Sequence, residues 1–351
     1  MRIALLSTPF IRVPPQGYGG TELFCYELAE GLTRRGHDVT LFTTADSEVS
    51  CRVRALYAAG QWPPTPEDDV NHTAWSFAEI ARDGRFDVVH LNSALGIPFT
   101  RYCKTPVVHT IHHMPQEPIS RLYARHPDVH YVAISERQRA IAIPLRHSRV
   151  IHHGLTPTRY PVSLRDEGYL THISRYAAEK GTHLAIDVAI RARMPLRLAG
   201  RTHPQDHAYF DREVGPRLRE AENVSVHGEA DHTTKLSLIR GARALLCPLQ
   251  WEEPFGLVAI EAMLCGTPVL GFRRGSFPEI VDQGVTGFLA EDGDVDSLAR
   301  FARSLEVEGF DRAACARRAR ERFSATTMIG AYEDLYQTVA AGPVQHLRRV
   351  A

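Results

Sequence analysis

Short apolar runs alternate with amphipathic stretches from one end of the chain to the other, a pattern that predicts β-α-β units feeding parallel sheets. In the first half the runs predict strands near 2–7, 38–43, 86–91, 106–112, 129–134 and 148–152. In the second half they predict strands near 169–174, 195–199, 223–227, 243–248, 267–271 and 287–290. The intervening segments read as helices. The clearest runs from Thr21 to Arg35, where Leu23, Phe24, Leu28 and Leu32 recur at helical spacing, and Leu184 to Arg193 reads the same way. The alternation breaks at His153-Gly154-Leu155-Thr156-Pro157 and on to Pro161, where Gly and Pro punctuate a stretch without a period; this predicts a linker. Two open α/β sheets joined in this way are expected to set a cleft between the carboxyl ends of their strands, with functional side chains just after strands.

A chain of 351 residues, 44% of them hydrophobic, has room for two domains that each bury a core. The formal net charge is zero, so no overall field favours nucleic acid as a partner, and any phosphate-binding groups must be local. Only Lys104, Lys180 and Lys235 are lysines, so a lysine at a motif position carries information. The six cysteines (Cys25, Cys51, Cys103, Cys247, Cys265 and Cys315) are scattered with no Cys-x-x-Cys pair, which points away from a zinc knuckle or a disulfide framework and suits a reducing cytoplasm. The apolar run at Met1 to Leu6 is too short for a signal peptide, and no run approaches the ~18 residues of a membrane span. The tail from Arg312 reads as helical and carries Arg317, Arg318, Arg320 and Arg322. Two readings stay open for it: a solvated helix face, or peripheral contact with an acidic membrane surface or another anionic partner.

The segment richest in chemistry follows the strand Ala244-Leu245-Leu246-Cys247-Pro248 and includes Glu253-Pro254-Phe255-Gly256-Leu257 and Glu261. Pro254 suits a first helical turn, which would leave the amides of Phe255, Gly256 and Leu257 as unpaired donors at a helix N-terminus, a site that attracts phosphate. With a rise of ~1.5 Å per residue, Glu253 and Glu261 would then lie about 12 Å apart along the axis. Taken singly, Glu253 could merely complement the helix dipole and Glu261 could be a surface residue. After the first strand of the second half, Arg175 and Lys180 in His172-Ile173-Ser174-Arg175-Tyr176-Ala177-Ala178-Glu179-Lys180-Gly181 are either a surface pair or a fixed pair of cations. Gly200-Arg201 follows the next strand. In the first half, Gly17-Tyr18-Gly19-Gly20-Thr21-Glu22 follows strand one and opens a helix, a turn in which a phosphate or sugar can approach the backbone. The strand from Pro106 leads to His109, His112 and His113; a metal would want a further carboxylate or His at ligand spacing, and none is near, so no metal is expected. Ser135-Glu136 reads as a helix N-cap.

Together, Glu-x7-Glu enclosing Pro-Phe-Gly-Leu, then Gly266-Thr267-Pro268-Val269-Leu270, Pro278-Glu279-Ile280-Val281 and Gly284-Val285-Thr286-Gly287-Phe288-Leu289, resemble glycosyltransferase family four. The Arg175 to Gly181 segment, the Gly19-Gly20 turn, His112 and Ser135-Glu136 extend the resemblance, whereas Ser174, His113 and His152-His153-Gly154-Leu155 depart from it. The resemblance implies an α/β fold of the GT-B type, two Rossmann-like, doubly wound parallel-sheet domains facing across a cleft. It places an acceptor-binding domain at 1–155, a domain binding the nucleotide-sugar donor at 156–325, and a helix over 326–351 that packs back on the first domain, with closure about the linker. It implies that Glu253 holds the hydroxyls of the transferred sugar, that backbone amides of Phe255, Gly256 and Leu257 hold the donor, and that Glu261 holds the ribose. Arg175 and Lys180 would neutralise the diphosphate, Gly19, Gly20 and Arg201 would face the donor, and His112 would be the cleft histidine.

The reaction so implied is retaining transfer from a nucleotide-diphosphate sugar to an acceptor hydroxyl, through an oxocarbenium-like transition state, with front-face attack and the donor phosphate as base. No cofactor and no metal are expected, and the acceptor could be a saccharide, a lipid-linked molecule or a small molecule. A non-catalytic nucleotide-sugar binding module and a GT-B phosphorylase with a pyridoxal phosphate lysine are the alternatives.

Overall fold

Val, Ile, Leu and Ala make up most of the buried strand positions, the composition of parallel sheets covered by helices on each side. The computed structural model describes residues 1–17 and 19–342, so Tyr18 of the Gly-rich turn and 343–351 of the tail lie outside the described residues. The chain forms two units. The first holds Met1–Ile134, Arg139–Gly154 and the chain from Ala325; the second holds Ser135–Gln138 and Leu155–Ser324.

The sheet of the first unit has seven strands: β1 (Arg2–Leu6), β2 (Asp38–Thr43), β3 (Arg52–Ala55), β4 (Val88–Leu91), β5 (Val107–Ile111), β6 (His130–Ala133) and β7 (Ser148–Val150). Their spatial order is β3-β2-β1-β4-β5-β6-β7, with every pairing parallel. Six strands were expected. The seventh, β3, is an edge strand of sequence Arg-Val-Arg-Ala that is buried on neither face, so no apolar run announces it. Along β1 successive side chains point to opposite faces. Ile3 and Leu5 join the core under the helix Gly20–Arg34, whereas Ala4 and Leu6 join the core under the helix Pro66–Asp83. The helix Ala325–Ala340 packs into the first of these cores through Met328, Ile329, Tyr332 and Tyr336.

The second unit has six parallel strands, β8 (Tyr169–Ile173), β9 (Leu196–Ala199), β10 (Val224–Val226), β11 (Ala242–Cys247), β12 (Val269–Phe272) and β13 (Gly287–Ala290), ordered β10-β9-β8-β11-β12-β13. All six stand where the apolar runs set them. The helix Thr182–Ala192 covers one face. The stretch expected to be a linker is where the chain passes from the first unit to the second, between Gly154 and Leu155, and it is packed: Leu155 and Tyr160 are buried, and Leu155 bridges to Ser324.

The Arg-rich tail divides into two helices, Arg312–Phe323 in the second unit and Ala325–Ala340 in the first. Arg312 is buried and donates to the carbonyls of Ser163 (2.6 Å), Ala242 (2.9 Å) and Arg240 (3.0 Å) and to the Thr267 hydroxyl (2.6 Å). Arg318 and Arg322 share Asp282, whereas Arg317 and Arg320 are exposed. Among the described residues no helix is long and apolar enough to cross a membrane.

Candidate functional site

In the second sheet the strand order reverses between β8 and β11, and an open α/β sheet binds ligands at the carboxyl ends of the strands flanking such a reversal. These two strands and the loops after them are tied together. The Gln250 amide donates to the Glu179 carbonyl (2.9 Å), and the His172 Nδ1–H donates to the Leu246 carbonyl (2.9 Å). Burial lowers the His172 imidazole to about 4, which keeps it neutral. At Gly181, φ is +68°, and a Cβ there would lie 2.0 Å from the Pro248 carbonyl oxygen. Only glycine lets the loop after β8 approach the end of β11 this closely.

This approach brings Lys180 to Glu253. The ammonium lies 2.6 Å from Glu253 Oε2, the Trp251 indole N–H donates to the same oxygen (3.0 Å), and the ammonium sits 4.5 Å from the centre of an indole ring of Trp251. The Glu253 loop is fixed from the far side. The Ser276 amide donates to the Glu253 carbonyl (3.0 Å), the Ser276 hydroxyl donates to the Phe255 carbonyl (2.6 Å), and a Cβ on Gly275 (φ +60°) would lie 2.4 Å from the Glu253 nitrogen.

Glu261 stands on the helix Leu257–Leu264 and is 2% exposed. It was open to being a surface residue, yet Lys235 Nζ lies 2.6 Å from its Oε1 and the Tyr160 hydroxyl donates to the same oxygen at 3.3 Å. Arg175 pairs with Glu179 and reaches Asp206 (3.5 Å). Arg201 is exposed and pairs with Glu229 (3.0 Å). Burial raises the Cys247 thiol, beside Glu253 and Lys180, far above its ordinary range.

The first unit presents neutral groups at the ends of its strands. Asn92, after β4, donates its amide N–H to the Leu6 carbonyl (2.9 Å), which turns its Oδ1 toward His112 Nε2 (2.9 Å). That network assigns the His112 proton to Nε2. Burial and the neighbouring imidazoles of His153, His109, His90 and His113 hold His112 neutral, and His153 stacks on it with centroids 5.4 Å apart. Gly19 caps the helix Gly20–Arg34. Two residues into that helix, Glu22 is buried, accepts a hydrogen bond from Thr8, and has its carboxyl raised above the usual range by burial. The Ser135 hydroxyl accepts the Gln138 amide (3.1 Å), an N-cap. Among the described residues no three His, Cys, Asp or Glu side chains are grouped as a metal site.

Two family models divide the chain between them: glycosyltransferase family 4 over residues 18–159 and glycosyl transferases group 1 over 161–322. The chain belongs to glycosyltransferase family four. It is 29% identical to the glycogen synthase of Mycobacterium tuberculosis, an alignment covering 98% of this chain and 94% of that one. Solved structures share its fold. Sucrose-phosphate synthase of Thermosynechococcus elongatus superposes with a TM-score of 0.83 at 21% identity, covering 98% of this chain and all of that one. Anabaena HepE, in complex with UDP-glucose, superposes at 0.75 and 20% identity over 96% of this chain and all of that one. The fold is GT-B, and the protein is a glycosyltransferase acting on nucleotide sugars.

Within this family-four enzyme the structure revises the Glu253 to Glu261 segment. The helix starts at Leu257, with Gly256 capping it at φ +97°, so Pro254 and Phe255 precede the helix and the two carboxylates do not share one axis. The axial separation of about 12 Å, which presumed an unbroken helix, therefore does not apply. Phe255 is itself a core side chain, packed edge-on to Phe323. The open donors at this terminus are the amides of Gly256, Leu257 and Val258, which have no partner among the described residues. No motif of the sequence marks Asn92, Tyr160, Lys235 or Trp251 as a site residue. The scarcity of lysine was the one signal that could have found Lys235.

Proposed function

We propose that this glycosyltransferase is retaining and holds its nucleotide-diphosphate sugar at the reversal of the second sheet. The observation that carries the reading is the meeting of Lys180 and Glu253 there, 2.6 Å apart, with Glu261 buried one helix further on. Negative charge grows on the diphosphate as the glycosidic bond breaks. Lys180 and Arg175 supply fixed positive charge for it, and the Gly256, Leu257 and Val258 amides add a helix N-terminus. Glu253 accepts hydroxyls of the transferred sugar and opposes the positive charge that develops on its ring. Glu261, held by Lys235 and Tyr160, accepts the ribose hydroxyls. Arg201 lies at the rim. The first unit takes the acceptor, with the neutral His112 as part of its polar lining, and the Gly19-Gly20 turn faces the donor.

The donor phosphate takes the proton of the attacking hydroxyl on the face it leaves, which retains the anomeric configuration and needs no protein nucleophile. With cations already in place, the reaction needs no metal and no cofactor. The acceptor is a saccharide, a lipid-linked molecule or a small molecule; a lipid-linked one would bring the exposed Arg317 and Arg320 to a membrane surface. Six free thiols suit the cytoplasm.

Thermal-shift titration with UDP-, GDP-, ADP- and dTDP-sugars tests donor binding, starting from UDP-glucose, which HepE holds. Hydrolysis of the stabilising sugar followed by NMR then reads the anomer first released. Retention in the presence of EDTA is expected. An inverted first product, or no stabilisation by any of the four donor classes, would overturn the reading.

A further inference from the structure

Two donors converge on one carboxylate oxygen in the second unit. Lys180 Nζ and the Trp251 indole N–H both meet Glu253 Oε2, at 2.6 and 3.0 Å, and the Lys180 ammonium also sits over the Trp251 ring, 4.5 Å from its centre. The pair is partly shielded from water, with 23% of the Lys180 side chain and 14% of the Glu253 side chain exposed. Lys180 is therefore engaged by a carboxylate of its own chain where a diphosphate would also engage it. An ammonium has three N–H donors but a single charge, and two anions that draw on it at close range compete.

We propose that Trp251 is a positioning residue that holds Lys180 and Glu253 as one exchangeable pair, in which a diphosphate takes Lys180 from Glu253 and so frees the carboxylate for the sugar. This rests on the donor placement argued above. The indole divides the two roles. Its ring face keeps the ammonium near the loop when the carboxylate is released, since a cation is attracted to the face of an indole whatever its other partners. Its N–H keeps Glu253 oriented once Lys180 has moved, because an N–H bond to a carboxylate is charge-assisted and directional. Filling one half of the site thus prepares the other. Such coupling is reciprocal: whatever strengthens the hold of Glu253 on Lys180 weakens the hold of Lys180 on a diphosphate.

The idea makes a counterintuitive demand. A substitution that destroys turnover at Glu253 should tighten diphosphate binding. Calorimetric titration of the full chain with inorganic pyrophosphate, in EDTA, reads this without knowledge of the nucleotide. Lys180→Ala should weaken binding. Glu253→Gln should tighten it by about three- to tenfold, the scale of a partly exposed ion pair. In the Lys180→Ala background Glu253→Gln should add nothing, because the cycle isolates the pair. Trp251→Phe, which keeps a ring for the ammonium and loses the N–H, should leave pyrophosphate affinity near that of the parent while lowering kcat for donor hydrolysis about tenfold, the loss of one charge-assisted bond.

Trp251 emission should change on pyrophosphate addition, and the change should vanish in Trp251→Phe. If Glu253→Gln leaves affinity unchanged, no exchange occurs, and if it tightens binding equally when Lys180 is absent, plain repulsion accounts for it; in either case the inference falls while the donor reading stands. If Lys180→Ala binds pyrophosphate as the parent does, the diphosphate is not beside Lys180 and both fall.

Discussion

The two units handle ionisable groups in opposite ways. The first buries them uncharged: burial lowers His72 to about 4 and His90, His109 and His153 to about 3, and His112 lies well below its ordinary value. Three of these rings are wired by neutral hydrogen bonds, His90 to Thr110 (2.8 Å) and Tyr336 (2.5 Å), His109 to Leu91 (3.0 Å) and Tyr123 (3.1 Å), and His112 to Asn92 (2.9 Å). The second unit keeps its key groups charged and pairs them, Lys180 with Glu253 and Lys235 with Glu261. Neutral networks fix side-chain direction and tautomer. Paired ions can exchange partners with a charged ligand. An acceptor hydroxyl asks for the first kind of surface and a nucleoside diphosphate for the second.

Acid should separate the two units most strongly. A histidine whose folded pKa is depressed favours the fold when neutral, so its stabilisation is complete above the unfolded value of about 6.5. It is lost as pH falls from there toward the folded values of 3 to 4. Each such group costs about 1.4 kcal/mol per pH unit inside that window. Among the described residues the second unit has one histidine lowered to a comparable value, His172. Native-state hydrogen exchange at mildly acidic pH should therefore show β4 and β5 losing protection before β8 and β11. Simultaneous loss would erase the distinction.

The next effect lies inside the charged unit. Glu253→Gln should lower kcat by about 10²–10³-fold, the scale for removing one electrostatic stabiliser of a transition state. Glu261→Gln, which in the proposed placement meets a ribose that does not react, should chiefly raise the donor KM. Steady-state kinetics with the donor found by thermal shift compares them, and the reverse pattern would exchange the sugar and ribose ends.

Lys235→Met should cost about 1–3 kcal/mol, because it leaves the buried Glu261 carboxylate with Tyr160 but no cation. A melting temperature lower by several degrees, together with a raised donor KM, is expected; an unchanged melting curve would mean that the pair contributes nothing to the fold. Arg201→Ala should have the smallest effect, at most about twofold on donor KM, because the side chain is exposed and its pair with Glu229 is screened. A larger loss would move Arg201 from the rim into the donor site.

Much of the fold was legible because the strands are short, apolar and bounded by turns. All six strands of the second sheet appear as runs, and only the half-polar edge strand β3 escaped in the first. The site was legible where its chemistry is contiguous in sequence, as at Glu253 to Glu261 and Arg175 to Gly181. It was illegible where partners are distant: Lys235 lies 26 residues from Glu261, and Asn92 lies 20 from His112. No local pattern distinguishes a lysine that faces water from one that meets a carboxylate across a strand. The helix start was misplaced for a related reason. Pro254 is compatible with a first turn, but the turn around Phe255 and Gly256 is set by Ser276, which holds the Glu253 and Phe255 carbonyls from another loop.

The sequence alone determined the β-α-β alternation, the two sheets, the family, and the order of carboxylates and cations along the chain, since each of these is written in local spacing and residue type. Tertiary structure alone decided the pairings. Parallel strand order set β8 beside β11, the bare backbone of Gly181 let their loops close, and Lys180 met Glu253 across 73 residues of chain. Burial, too, was decided only there. Glu261 became an interior carboxylate and five histidines of the first unit became neutral, because solvation depends on everything that surrounds a side chain and hardly at all on its neighbours in sequence.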